Sequence, residues 1–311
     1  MRVFLSYSRT NSPVAVRLRH DLKRAGLEPW QDVFDIPTDA DWRAEILAGI
    51  GGSDAFVVLV SPESHTSENV AAELAEAERL GKKIVRILVA GDVGHTRQVV
   101  DARGRYWEAL PRVLSDLGGR AVPAPLDWLT DGHTMAEFGA ELGLRREFVA
   151  GRQRFLAVPV LPSAYGMAWL AGPESGCIPV RTSELLPPVA LVLKVTGSDA
   201  DDSLQEIALF LLSSGMQPWI LYVEGARSGD KLQLPNDKPH VWRDIVQLSE
   251  RTVRIWAKGR HSSIEVFQQC PVTLSFAIGM KLREMLPYGL YNYSRGLQPA
   301  YMKVYSEGKA T

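Results

Sequence analysis

The chain has 311 residues, enough for two domains that each bury a core, and 35 Lys+Arg against 36 Asp+Glu give a net charge of -1. This balance excludes a general binder of duplex DNA, which needs a basic excess, yet leaves room for a pocket that holds one compact anion. Two cysteines, Cys177 and Cys270, are too few for a disulfide framework. No apolar run reaches membrane-spanning length and the Met-Arg start has no leader pattern, so a soluble cytoplasmic protein is expected.

Val3–Tyr7 is a short apolar run suited to a buried parallel strand, and Ser12 is a helix N-cap candidate. Val14, Leu18, Leu22 and Ala25 follow at helical spacing, and Gly26 ends that helix. Leu27–Trp30 reads as a second strand; a loop with Pro37 leads to a helix through Trp42, Ile46 and Ile50. Ala55–Val60 is a third strand. Ser67 caps a helix through Val70, Leu74 and Ala77 to Leu80, and Lys83–Val89 is a further strand. Apolar, non-alternating strands that alternate with helices predict a parallel sheet covered on both faces.

Leu126–Leu129 is expected as a last edge strand and Met135–Phe148 as a last helix. Residues 151–176 are rich in Gly, Pro and Ala, which places a domain boundary near Arg152–Leu156, with domains at 1–150 and 157–311. The alternation then restarts. Val189–Val195 is a strand, followed by Thr196-Gly197-Ser198 and a helix to Leu212; Trp219–Val223 is a strand and Ile245–Ala257 a helix. Ile264–Phe267, the helix Val272–Leu286 and the strand Leu290–Tyr293 complete the pattern, with Gly225–Pro239 as a flexible loop and no short-period repeat.

Ligands of parallel α/β sheets bind beyond the carboxyl ends of the strands. Ser6, Tyr7, Ser8 and Arg9 fall there after the first strand, Gln31, Asp32 and Phe34 after the second, and Ser61–Thr66 after the third, at the mouth of the helix that carries Glu73. Trp30, Phe34 and Trp42 offer aromatic faces to a flat ring, and hydroxyls and amides near helix starts suit a pyrophosphate. Neither a Gly-x-Gly-x-x-Gly turn after the first strand nor a P-loop is present.

Val3-Phe4-Leu5-Ser6-Tyr7-Ser8, Gly26-Leu27-Glu28-Pro29-Trp30 with Asp32, Trp42, and Val58–Ser61 with Ser67 and Glu73-Leu74 together resemble a bacterial TIR domain over residues 1–150. The resemblance implies a flavodoxin-like fold and cleavage of the bond between nicotinamide and ribose in NAD. The family's catalytic glutamate matches Glu73, and Ser6, Tyr7, Ser8, Arg9, Trp30, Asp32, Phe34 and Trp42 become the substrate-binding candidates. One departure is that Thr38-Asp39-Ala40-Asp41 stands where the family often has Gly before the tryptophan. A carboxylate suits the chemistry, because departing nicotinamide leaves an oxocarbenium-like ribose. Many TIR domains are scaffolds with no catalysis, which is the alternative.

In the second half, six scattered histidines form no pair with metal-ligand spacing, so no metal is expected. Gln268-Gln269-Cys270-Pro271 joins a strand to a helix, with Pro271 placed as a first helical residue. Ile264–Phe267, Cys270-Pro271-Val272, Ala277-Ile278-Gly279, Leu290–Tyr293 and Tyr301 resemble a SAVED domain, the CARF-related, Rossmann-like α/β sensor of CBASS anti-phage systems. The resemblance implies a cyclic oligonucleotide activator, with a cyclic trinucleotide the leading candidate. Thr196, Gly197, Ser198, Gln269, Pro271, Tyr293 and Arg295 are the candidates to hold it. NAD is then a substrate with no separate cofactor, and activation proceeds by head-to-tail self-association into oligomers or filaments. A C-terminal half that recognises a protein or another nucleotide is the alternative.

Overall fold

A computed structural model describes residues 1–32, 42–92, 98–129, 132–180, 185–195, 197–198, 200–225, 227–228, 231–232, 234–235, 237–283, 285–293 and 301–307. The chain divides into two compact units: Met1–Ala124 with Ser163–Tyr165, and Pro125–Pro162 with Gly166–Thr311.

The first unit contains strands β1 (Arg2–Ser6), β2 (Glu28–Trp30), β3 (Ala55–Val60), β4 (Lys83–Leu88) and β5 (Val99–Asp101). They form a five-stranded sheet in the order β2-β1-β3-β4-β5, with every pairing parallel. This is the flavodoxin-like order, whose switch point lies between β1 and β3. All six residues of β3 are buried, as expected of a central strand covered on both faces. On one face Phe4 stacks on Trp30 at 4.7 Å and on Phe56 at 5.3 Å, and Ile46 and Ile50 pack into the same cluster. Gly49, on the helix Trp42–Gly51, is the seat for that tryptophan: a Cβ there would lie 2.8 Å from the Trp30 ring.

The second unit contains β6 (Arg146–Ala150), β7 (Gln153–Pro162), β8 (Gly166–Pro173), β9 (Val189–Lys194), β10 (Gly197–Ser198) and β11 (Ile220–Gly225). β12 (Arg227–Ser228), β13 (Lys231–Leu232), β14 (Ile264–Gln269), β15 (Tyr288–Tyr293) and β16 (Tyr301–Glu307) follow. Eight of these make one mixed sheet, ordered β16-β15-β14-β9-β11-β8-β7-β6. β15, β14, β9 and β11 run parallel, and β16 on one flank and β8, β7 and β6 on the other pair antiparallel. The helix Ala200–Ser213 packs its Leu204, Ile207, Ala208 and Leu211 against Tyr222, Trp169 and Phe267.

Several expectations are corrected. Leu126–Leu129 is no edge strand, because Pro125–Trp128 is a short helix. The helix begun at Met135 stops at Leu142, where Gly143 takes a left-handed conformation at φ 66°; residues 146–150 then pair with β7. Residues 151–176, rich in Gly, Pro and Ala, hold two long strands, and the first compact unit runs to Ala124 and takes in Ser163–Tyr165. Within 225–239, β12 and β13 join β10 in a small three-stranded sheet. The helix after β14 ends at Leu282 rather than Leu286.

Candidate active site

The carboxyl ends of β1 and β3 and the segment after β2 carry the polar residues, and the route from β3 to its helix is fixed by two caps. Ser61 accepts from the Ser64 amide at 3.1 Å in a reciprocal capping box, and Ser67 accepts from the Val70 amide at 3.3 Å. The second cap starts the helix Glu68–Arg79, which buries Val70 and Ala77 and so places Glu73 on the flank that faces β1. There the Ser6 hydroxyl donates to Glu73 Oε2 at 2.5 Å across 67 residues of sequence.

Around this pair lies a small polar network. Arg9 Nη2 donates to Asp32 Oδ2 at 2.7 Å, Tyr7 donates to Asp32 Oδ1 at 3.4 Å, and Gln31 Nε2 donates to the Tyr7 hydroxyl at 2.9 Å. Burial, assisted by the charge of Asp32, pushes the Tyr7 phenol up to about 12, so it remains a neutral donor. Burial likewise raises the Glu73 carboxyl to about 7, with the Ser6 bond and Arg9 opposing the rise and Asp32 adding to it. A carboxyl titrating near neutrality beside a groove is a feature that functional sites share with some structural networks.

Glu73 also lines a groove of about 330 Å³ between the helices Trp42–Gly51 and Glu68–Arg79, with Trp42, Ile46, Leu47, Ala72 and Arg79 along its walls. The walls are mostly apolar, Trp42 is 39 % exposed, and the volume suits a ring and its sugar rather than a whole dinucleotide. Glu73, Trp42, Ser6, Tyr7, Arg9 and Asp32 are thus brought to one end of the sheet. Ser8 sits beside them, in a hydrogen bond with Thr10 at 3.0 Å. Trp30 is a correction: at 6 % exposure, stacked on Phe4, it is core and offers no face to a ligand. Phe34 lies outside the described residues. Gln31 was not among the binding candidates, and neither were Ile46 and Arg79. Only their tertiary placement marks them.

In the second unit, Gln269 Oε1 accepts from Lys194 Nζ at 2.5 Å and from the Ser203 hydroxyl at 3.1 Å. This cluster joins the carboxyl ends of β9 and β14 to the first turn of the helix Ala200–Ser213, and Lys194 in it was read only as the end of an apolar strand. Pro271 is the N-cap residue before Val272 rather than the first helical residue. Thr196 and Arg295 lie outside the described residues, Gly197 and Ser198 form β10, Tyr293 ends β15, and the side chains of Ser198 and Tyr293 are likewise outside them. Among the described residues no cluster of His, Cys, Asp or Glu fits a metal ion, and no helix is long and apolar enough to cross a membrane.

Residues 3–114 match the family model of the TIR domain. No curated protein matches the chain. Among solved structures, the TIR domain of the Toll-related receptor TRR-2 from Hydra magnipapillata is similar at 20% identity, over 36% of this chain and 97% of that one, with a TM-score of 0.31. A 2-desoxiribosyltransferase from Leishmania mexicana is similar at 21% identity, over 28% of this chain and 64% of that one, with a TM-score of 0.25. CapF with the inhibitor 3-isopropenyl-tropolone is similar at 11% identity, over 55% of this chain and 73% of that one, with a TM-score of 0.23. Scores this low leave the fold resting on the sheet order itself. With that order, the family match and the strand-end residues in place, the N-terminal part of the chain is a TIR domain.

Proposed function

We propose that the TIR domain cleaves NAD between nicotinamide and ribose, with Glu73 as its catalytic carboxylate. TIR domains include NAD-cleaving enzymes as well as scaffolds. One observation favours the enzyme: Glu73 lines an apolar groove beside the exposed Trp42, with its carboxyl near neutrality.

In this reaction the C–N bond breaks, its electron pair goes to the ring, and nicotinamide leaves neutral without needing a proton. The ribose is left as an oxocarbenium ion, which the Glu73 carboxylate stabilises until water adds and yields ADP-ribose, nicotinamide and a proton. Trp42 stacks on the nicotinamide, and Arg9, 65% exposed in its pair with Asp32, meets the pyrophosphate. The ionised form of Glu73 is the active one, so the rate rises with pH through about 7.

The C-terminal unit is proposed to act as a SAVED-type sensor of a cyclic oligonucleotide in an anti-phage system of the CBASS kind. Its support is the set of sequence features from Ile264 to Tyr301, together with a cationic and amide cluster at the carboxyl ends of two parallel strands. Activator binding then promotes TIR self-association, a common property of TIR domains, and the resulting NAD depletion stops the infected cell.

The test is NAD consumption by the full chain with and without cyclic di-, tri- and tetranucleotides, alongside Glu73→Ala. The expected result is turnover that depends on one ligand and falls at least a hundredfold in a folded Glu73→Ala variant, roughly the loss when a transition-state electrostatic group is removed. Undiminished turnover in Glu73→Ala removes the assignment of the carboxylate. No turnover with any ligand favours a scaffold.

A further inference from the structure

Ser6, at the end of β1, was expected to contact substrate, yet it is 1 % exposed. It closes the β1–β3 pairing opposite Val58, between two neighbouring strands. A hydroxyl so enclosed cannot reach a dinucleotide in the groove. What it reaches is Glu73 Oε2, at 2.5 Å. We propose that Ser6 is a positioning residue: its hydroxyl fixes one carboxylate oxygen of Glu73 and leaves Oε1 as the oxygen that faces the ribose cation. The inference rests on the NAD-cleaving role proposed above and adds to it a division of labour, in which the buried hydroxyl of the Ser6-Tyr7-Ser8 run aims the carboxylate and the exposed Arg9 meets the ligand.

Three features support the assignment. The bond spans two elements that are themselves fixed, a central strand and a helix started by the Ser67 cap, so it restrains the carboxylate against rigid backbone. It joins a neutral donor to an ionisable acceptor, and such bonds are strongest when the acceptor is charged. The charged groups that act on Glu73 are of both signs, Asp32 from the segment after β2 and Arg9 from that after β1, while Arg43 from the helix Trp42–Gly51 and Glu76 and Arg79 from its own helix line the same groove. Against these neighbours of both signs, the Ser6 hydroxyl is aimed at a single carboxylate oxygen, Oε2.

The test uses the full chain as wild type, Ser6→Ala and Ser6→Thr, with two readouts. The first is the titration of the Glu73 carboxyl by 13C NMR in protein labelled at the glutamate carboxyl carbon, with the resonance assigned by its loss in Glu73→Gln. Removing a hydrogen bond to the charged form raises a carboxyl's titration midpoint, so Ser6→Ala is expected to move it up by about one pH unit. The second is NAD turnover: kcat at pH 7 is expected to fall about tenfold in Ser6→Ala with KM within twofold, because aim and ionisation are lost while the groove is kept. Ser6→Thr, which keeps the hydroxyl, is expected to restore both. Far-UV circular dichroism establishes that each variant is folded. A midpoint unmoved in Ser6→Ala overturns the positioning role, whatever the turnover. A moved midpoint in a chain that never consumes NAD leaves the Ser6–Glu73 coupling standing and overturns the enzymatic role instead.

Discussion

At the scale of single residues, the enclosure of Glu73 has a consequence for stability as well as for chemistry. Its carboxyl is raised from 4.5 to about 7 in the folded chain, chiefly by burial. Between those two values the folded state keeps a proton that the unfolded state has lost, so this group's contribution to stability falls as pH rises across the window and its full penalty is present above pH 7. Glu73→Gln removes the penalty and keeps an acceptor for Ser6. It is expected to stabilise the chain by about 1–3 kcal/mol at pH 8 and by almost nothing near pH 4.5, read by urea unfolding at the two values. A gain equal at both pH values would mean that ionisation is not its source. In the proposed reaction the same carboxyl governs rate. The profile of kcat/KM is expected to rise with a midpoint near 7, and that of kcat at a lower pH, because the bound nicotinamidium cation favours the ionised form. Sequence makes Glu73, Ser6, Tyr7, Arg9, Asp32 and Trp42 legible as a set, because strand ends and helix starts converge in a parallel sheet. It does not separate Ser6, which is hidden, from Arg9, which is exposed, and it takes Trp30 for a ligand platform although Gly49 lets that ring sink into the core.

At the scale of elements, four of the five strands of the TIR domain follow from apolar runs such as Ala55–Val60, where burial on both faces leaves no alternation, whereas the edge strand β5 is only three residues long and leaves no such run. The β7–β8 pair was illegible for a related reason. Its Gly, Pro and Ala content imitates a linker, yet the residues do other work in the sheet. Pro159 sits at an irregularity, where the register shifts between Pro159 and Leu161, so its missing amide is tolerated. Gly166 gives room to Ile245 and to the Glu224 carbonyl, and Gly172 lies under Trp219. The glycines that imitate a loop are therefore packing seats. A Cβ at Gly172 would stand 2.2 Å from the Trp219 ring, which is only 9 % exposed and cannot move aside freely. Gly172→Ala is expected to cost about 1–3 kcal/mol as an overpacked site, although alanine alone normally suits a strand at least as well as glycine. The clash is identified by adding Trp219→Leu: the double variant is expected to lose less than the sum of the two single variants in urea unfolding, since the second change removes what the first one meets. Simple additivity would place the cost in the backbone instead.

At the scale of the whole molecule, each unit has its own core, one around Phe4, Trp30 and Phe56 and the other around Trp169, Tyr222 and Phe267. A sensor in the second unit can govern chemistry in the first only if its ligand binds the active arrangement more tightly than the resting one. Linkage then requires the effect to run both ways: if a cyclic oligonucleotide tightens NAD binding by some factor, NAD tightens the oligonucleotide by the same factor. The Glu73→Ala chain makes this measurable, because it removes the carboxylate proposed to act on the bond and leaves the groove walls Trp42, Ile46 and Leu47 in place. With saturating NAD, the Kd of that variant for the activating cyclic oligonucleotide is expected to fall by about 5- to 150-fold, the usual range of coupling between two sites. The reverse titration, NAD into the variant saturated with activator, is expected to give the same factor within error. Equal factors near one would mean that the ligand and the groove do not communicate through binding. Activation would then have to arise from a step after binding, such as a change in rate within an assembly that both states form equally well.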